Sequence, residues 1–157
     1  MRIAAVTVLA GALLTACSQP TPTFSVGGAT VDATHWCQGG AKNAAYDLHA
    51  RVDARNDTST AVTIESASAQ MVLAAASGPW LEQVGQTYDA GTVKVAPATV
   101  AARSRATLDV TIPSACTSGL YGLGPSSSGQ YRVNLRLETS AGAFSVTAAN
   151  RHEILAA

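Results

Sequence analysis

The sequence predicts an all-β protein, an antiparallel β-sandwich of about seven strands. Three observations carry that expectation. Residues 46–55 and 131–137 alternate apolar and polar side chains, the period of two of a strand with one wet face. No long stretch repeats apolar residues at the spacing of a helix. Short apolar runs are separated throughout by turn-forming Gly, Pro, Asn, Asp and Ser.

The first strand is expected over residues 24–33. The second, 46–55, puts Tyr46, Leu48, Ala50, Val52 and Ala54 on one face and Asp47, His49, Arg51, Asp53 and Arg55 on the other. Asn56-Asp57-Thr58-Ser59 is a turn. The third strand covers 61–73, with Val62, Ile64, Met71 and Leu73 apolar. A looser segment, 75–90, carries Gly78-Pro79-Trp80 and Tyr88. Residues 92–96 form a short fourth strand ended by Pro97. The fifth, 106–112, turns Leu108, Val110 and Ile112 inward, and 113–129 is a Gly/Ser-rich loop. Tyr131, Val133, Leu135 and Leu137 make the inner face of the sixth. Ser140-Ala141-Gly142 turns into the last, 143–149, with a continuation to Leu155 left open.

Seven short strands at this spacing match an immunoglobulin-like sandwich. The pattern Val52-x-x-x-Asn56-x-Thr58-x-x-x-Val62-Thr63-Ile64 resembles the turn between the second and third strands of immunoglobulin-like modules found in bacterial lipoproteins. That likeness covers about a dozen residues and implies fold class without activity. Trp36 precedes Cys37 rather than lying between the cysteines in a core strand, so the Cys-Trp-Cys core of antibody domains is not met.

Residues 1–16 read as an export signal. Arg2 is a minimal cationic start, residues 3–14 are almost uninterruptedly apolar, and Thr15 and Ala16 are small. About a dozen apolar residues are too few to cross a bilayer core, which takes roughly 20. Leu14-Thr15-Ala16-Cys17 resembles the lipobox of bacterial lipoproteins. In that family the cysteine thiol is acylated, the signal is cut before it, and the new amine is acylated too. The resemblance implies lipidation (palmitate-type acyl chains) at Cys17. It places the protein in the cell envelope, on the extracytoplasmic side of a bacterial membrane. In that family a serine after the cysteine, here Ser18, is compatible with outer-membrane sorting; inner and outer membrane both stay open. Residues 17–23 form the lipidated start and a proline-broken tether, whose last six residues reach about 20 Å at full extension. Residues 24–157 form the sandwich domain.

Removing residues 1–16 from the 157 leaves 141, enough for one domain with its own core. The full chain carries ten cations and ten anions; without Arg2 the net charge is −1, so no basic field attracts nucleic acid. Charged residues are 13% of the chain, against roughly a quarter in ordinary domains. With Cys17 assigned to lipid, Cys37 and Cys116 remain to pair in an oxidising setting. Their bridge would close a loop of about 80 residues, for which loop entropy gives roughly 4–5 kcal/mol. Both cysteines fall outside the expected strands. The start of the second strand lies beside the end of the fifth in such a sandwich, so the bridge is expected to close one pole without crossing the core.

That topology gathers His35, Trp36, Trp80, Tyr88, Leu120, Tyr121 and Leu123 in three loops at the disulfide pole. The first strand starts at the other end, so the aromatic pole should face away from the membrane. Aromatic loops on a rigid sandwich can recognise a partner; they can equally plug the end of the core. His35, His49 and His152 are dispersed, Met71 reads as core, and no metal or cofactor is expected. No nucleophile elbow, zincin histidine pair or phosphate loop points to catalysis. The sequence therefore predicts a non-catalytic envelope module whose candidate surface is His35, Trp36, Trp80, Tyr88 and Tyr121, taking a protein or glycan partner. A structural or accessory subunit of an envelope complex is the second class, and an enzyme or metal carrier the third.

Overall fold

The computed structural model describes residues 21, 23–38, 44–116 and 127–156. The export signal, Cys17, Leu120, Tyr121 and Leu123 lie outside them. Eleven strands form: β1 (Phe24–Val31), β2 (Thr34–Cys37), β3 (Ala44–Asn56), β4 (Val62–Ser77), β5 (Thr87–Asp89), β6 (Lys94–Ala96), β7 (Thr99–Val100), β8 (Ser104–Cys116), β9 (Ser127–Thr139), β10 (Gly142–Thr147) and β11 (His152–Ala156). One sheet runs β1-β3-β8-β6. The other runs β2-β11-β9-β4-β5, with β10 also on β9 and β7 on β4.

These eleven elements reduce to the seven expected positions plus two short additions, β5 and β7. The first strand changes sheets: β1 pairs with β3, and after Asp32 and Ala33 the chain continues as β2 along β11. The last strand is interrupted between β10 and β11, both of which pair with β9. The order is then first-second-fifth-fourth against seventh-sixth-third, that of an immunoglobulin-like sandwich. One pairing departs from the antiparallel expectation, because β2 and β11 run parallel.

The register shifts once in β1 and twice in β4, the last time between Leu73 and Ala75, and the first shift in each strand keeps the core face in phase. In β4, Val62 and Ile64 are even-numbered while Ala69, Met71 and Leu73 are odd, yet all are buried. The register shifts between Ile64 and Ser66, and that extra residue returns the odd positions to the core. In β1, Phe24 precedes a shift between Gly27 and Thr30, Ala29 lies within it and Val31 follows it, and all three are buried. Gly28 sits there at φ 61°, where a Cβ would also meet the Asp53 carboxylate at 2.7 Å.

Between the sheets lie Leu48, Val52, Leu108, Val110 and Ile112 from one side and Met71, Leu73, Val133, Leu135 and Leu137 from the other. The side where β1 approaches the last strand is tied by Asn150. Its Oδ1 accepts from Val31 N at 3.0 Å, and its Nδ2 donates to Val31 O at 2.8 Å. On the outer face of β3, Arg51 and Arg55 lie beside Asp109 (3.7 Å) and Asp57 (2.8 Å); Arg51 is the cross-strand neighbour of Asp109 in the β3–β8 register.

Candidate interaction pole

The two poles are set by β3. Its first residue, Ala44, is opposite Cys116, and its last, Asn56, is opposite Phe24 and Ser104. Thirteen residues at about 3.3 Å each separate these ends by roughly 40 Å. The chain therefore begins its first strand at one pole, and the cysteines sit at the other.

Cys37 and Cys116 are joined, with a Cα–Cα separation of 5.8 Å. The expected placement needs two corrections. The cysteines are the last residues of β2 and β8 rather than loop residues. Because β2 belongs to one sheet and β8 to the other, the bridge links the two sheets at the pole. Strand β8 outlasts its expected end because β6 flanks only Asp109–Thr111. At Pro113 one side of the strand is open, where a residue lacking an N–H can sit.

His35 and Trp36 are likewise on a strand, not a loop. Successive side chains of β2 point oppositely: His35 turns toward the core, and Trp36 turns outward and is 64% exposed. Inside, the His35 ring stacks on Tyr46, with centroids 3.6 Å apart and planes 6° from parallel. Tyr46 reaches on to His152, its hydroxyl 3.0 Å from Nε2. A ring nitrogen of His35 also lies within 4.8 Å of both sulfur atoms; those sulfurs are bonded to each other and offer no thiolate.

Trp80 belongs to the core's end. It follows β4, is half-buried, and donates from Nε1 to the Tyr131 hydroxyl at 3.1 Å. Tyr131 in turn donates to Glu82 Oε2 at 3.3 Å. The indole packs against Gly129, where an added Cβ would collide with Cε2 and Cζ2. Gly129→Ala should therefore expel the indole at a cost of about 2 kcal/mol. The change would appear as red-shifted emission from Trp80 in a Trp36→Phe background; unchanged emission and stability would refute this packing.

Tyr88, on β5 opposite Met71, is 41% exposed. It shares a crevice of about 20 Å³ with Met71, Glu82, Ser114, Tyr131 and Ile154, room for a single water. Leu81 and Val84, between β4 and β5, are 57% and 64% exposed. The structure thus divides the expected aromatic set: Trp80 and His35 pack inward, Trp36 and Tyr88 face solvent. Tyr46, Tyr131 and His152 complete the inner layer. In the sequence both tyrosines read only as strand residues and His152 stands isolated, since its partners are more than 100 residues away.

His152 is 1% exposed, and burial holds its pKa below the ordinary 6.5. The Asp32 carbonyl hydrogen bond opposes that fall, and the neighbouring His35 adds to it. The unfolded chain then takes up this proton first. Stability from the neutral ring is complete above pH 6.5 and declines as pH falls below it. Denaturation midpoints measured at pH 7.5 and 5 should show that decline, and His152→Gln should flatten it.

No protein-family model matches this chain, and no curated protein does. Among solved structures, it is similar to an ASH/PapD-like domain of human CEP192 (PapD-like domain 7). The identity is 9%, the match covers 95% of this chain and 94% of that one, and the TM-score is 0.27. It is also similar to AggA, the major subunit of aggregative adherence fimbriae type I from Escherichia coli. There the identity is 9%, the coverage 86% and 96%, and the TM-score 0.36. The fold assignment rests on the strand order itself.

Proposed function

We propose that this chain is a lipid-anchored lipoprotein of a bacterial envelope, whose sandwich is a non-catalytic interaction module contacting its partner through the disulfide pole. One observation supports it most: the exposed apolar side chains Trp36, Leu81, Val84 and Tyr88 belong to segments toward that pole, away from the end where β1 begins. Isolated exposed apolar residues are ordinary, but a solvent-facing tryptophan on a four-residue strand fixed by a disulfide is a pre-organised anchor of the kind found at interface centres. An anchor at Cys17 would leave that end facing away from the membrane.

The anchor is tested by metabolic labelling with an alkyne fatty acid in a bacterial host. Wild type should be labelled and Cys17→Ser should not; label persisting in the variant would overturn it. The contact surface is tested by crosslinking in the native envelope with wild type and Trp36→Ala. Loss of a crosslinked partner is expected, and equal recovery would count against the pole.

Stability separates the two tryptophans beforehand. Trp36→Ala should change unfolding free energy by less than about 0.5 kcal/mol. Trp80→Ala should cost about 2 kcal/mol, since it removes a half-buried indole and a partner of Tyr131. Urea denaturation of both variants checks this, and equal losses would mean that Trp36 is also structural.

A further inference from the structure

His152 joins three elements through one imidazole. It is the first residue of β11, and its Nδ1 lies 2.8 Å from the Asp32 carbonyl at the corner between β1 and β2. A carbonyl only accepts, so Nδ1 carries the hydrogen. In the neutral ring Nε2 is then a bare acceptor, and the Tyr46 hydroxyl of β3 donates to it at 3.0 Å. Tyr46 in turn is stacked on His35 of β2. Strand β2 itself is only four residues long and lies at a sheet edge, held by parallel pairing to β11 and by its terminal disulfide.

We propose that His152, Tyr46 and His35 form a proton-operated clasp: the neutral imidazole locks the β1–β2 corner and β2 onto the sandwich, and a second proton on His152 releases them. Protonating Nε2 replaces an acceptor by a donor facing Tyr46, which must turn its own hydrogen away. The charged ring also needs an anion or water. It is faced by His35 from β2, by Tyr46 from β3, by Tyr131, its register partner on β9, and by the Asp32 carbonyl from the corner. The Asp32 carboxylate is engaged on the outside, where Oδ2 lies 3.1 Å from His49 Nδ1 and accepts from His49 N at 3.0 Å. On its own strand, Glu153 lies on the opposite face, and the neighbouring Arg151 donates to Gln130 at 3.1 Å. The charge is therefore accommodated when the corner opens to water. The disulfide limits that opening to the segment before Cys37, so β2 and its Trp36 loosen without leaving the pole. The clasp does not depend on what the pole contacts or on lipid at Cys17.

Hydrogen exchange of the disulfide-intact protein tests it, with rates corrected for intrinsic pH dependence. Between pH 7.5 and 5.0, amides of β2 and the β1–β2 corner should exchange at least fivefold faster, while those of β3 and β9 keep their protection. His152→Gln, which cannot take the proton, should abolish the acceleration; His49→Gln should retain it. Equal protection of β2 at both pH values, or acceleration surviving in His152→Gln, would overturn the proposal. A proton NMR titration of wild type covers the case in which His152→Gln fails to fold. The His152 ring resonance should titrate together with the opening of β2, and titration without opening would equally overturn it.

Discussion

Replacing Cys37 and Cys116 together by alanine is expected to lower the free energy of unfolding by about 4 kcal/mol. The bonded residues are 79 apart in sequence, and releasing so long a loop returns that amount of entropy to the unfolded chain. The native state loses something as well. Among the described residues strand β2 pairs only with β11, and the bridge is its covalent link to the opposite sheet. Urea denaturation should show a lower midpoint together with a steeper slope, because the uncrosslinked unfolded chain exposes more surface. A loss below about 1 kcal/mol would mean that the parallel β2–β11 pairing holds the pole by itself. Single Cys→Ala variants should match the double one, since either breaks the loop.

Asn56→Ala should cost about 3 kcal/mol and lower the melting temperature by roughly 10 °C. Asn56 is completely buried. Its Nδ2 donates toward Thr60 O (2.8 Å), Ala101 O (3.0 Å) and Val100 O (3.1 Å). Its Oδ1 accepts from Thr58 N at 3.0 Å and Thr58 Oγ1 at 2.7 Å. One amide thus ties the end of β3 to the turn that follows and to the segment between β7 and β8. Truncation removes all of these bonds from a fully buried position, the one to Val100 O being itself buried, and unsatisfied buried groups cost more than a hydrogen bond gains. Asn56→Asp should be at least as damaging, because it keeps the acceptor but loses the donor and buries a charge. Thr58→Val, which removes one hydroxyl at the rim, should cost only about 1 kcal/mol. Thermal melts of the three variants give the ranking; an Asn56→Ala variant melting like wild type would show that the turn holds without it.

Asn56 also shows how far the chain could be read directly. It falls on the same parity as Leu48, Val52 and Ala54, so alternation already points it inward, although its residue type suggests a turn. Both are true: it is the buried end of a strand and the anchor of the turn. Tyr46 and Tyr131 were legible as inward residues in the same way. That they meet His152 and Trp80 was not, because hydrogen bonds across 106 and 51 residues leave no local pattern. The bulges in β1 and β4 were hidden for a related reason. A strand with one extra residue reads as broken alternation until its partner's register is known.

What the sequence by itself determined is the class of the fold, the faces of its long strands, and the pairing of Cys37 with Cys116. The first two follow from local periodicity and the third from the lipobox resemblance, which sets Cys17 aside and leaves two cysteines to pair. Tertiary structure alone decided that the first strand changes sheets and that its second half carries His35 inward and Trp36 outward. It also decided that one tryptophan plugs the core while the other faces water. The physical reason is that alternation tells two faces apart but does not say which sheet a short edge strand joins. Only the neighbours, β11 on one side and the disulfide at its end, settle that for β2.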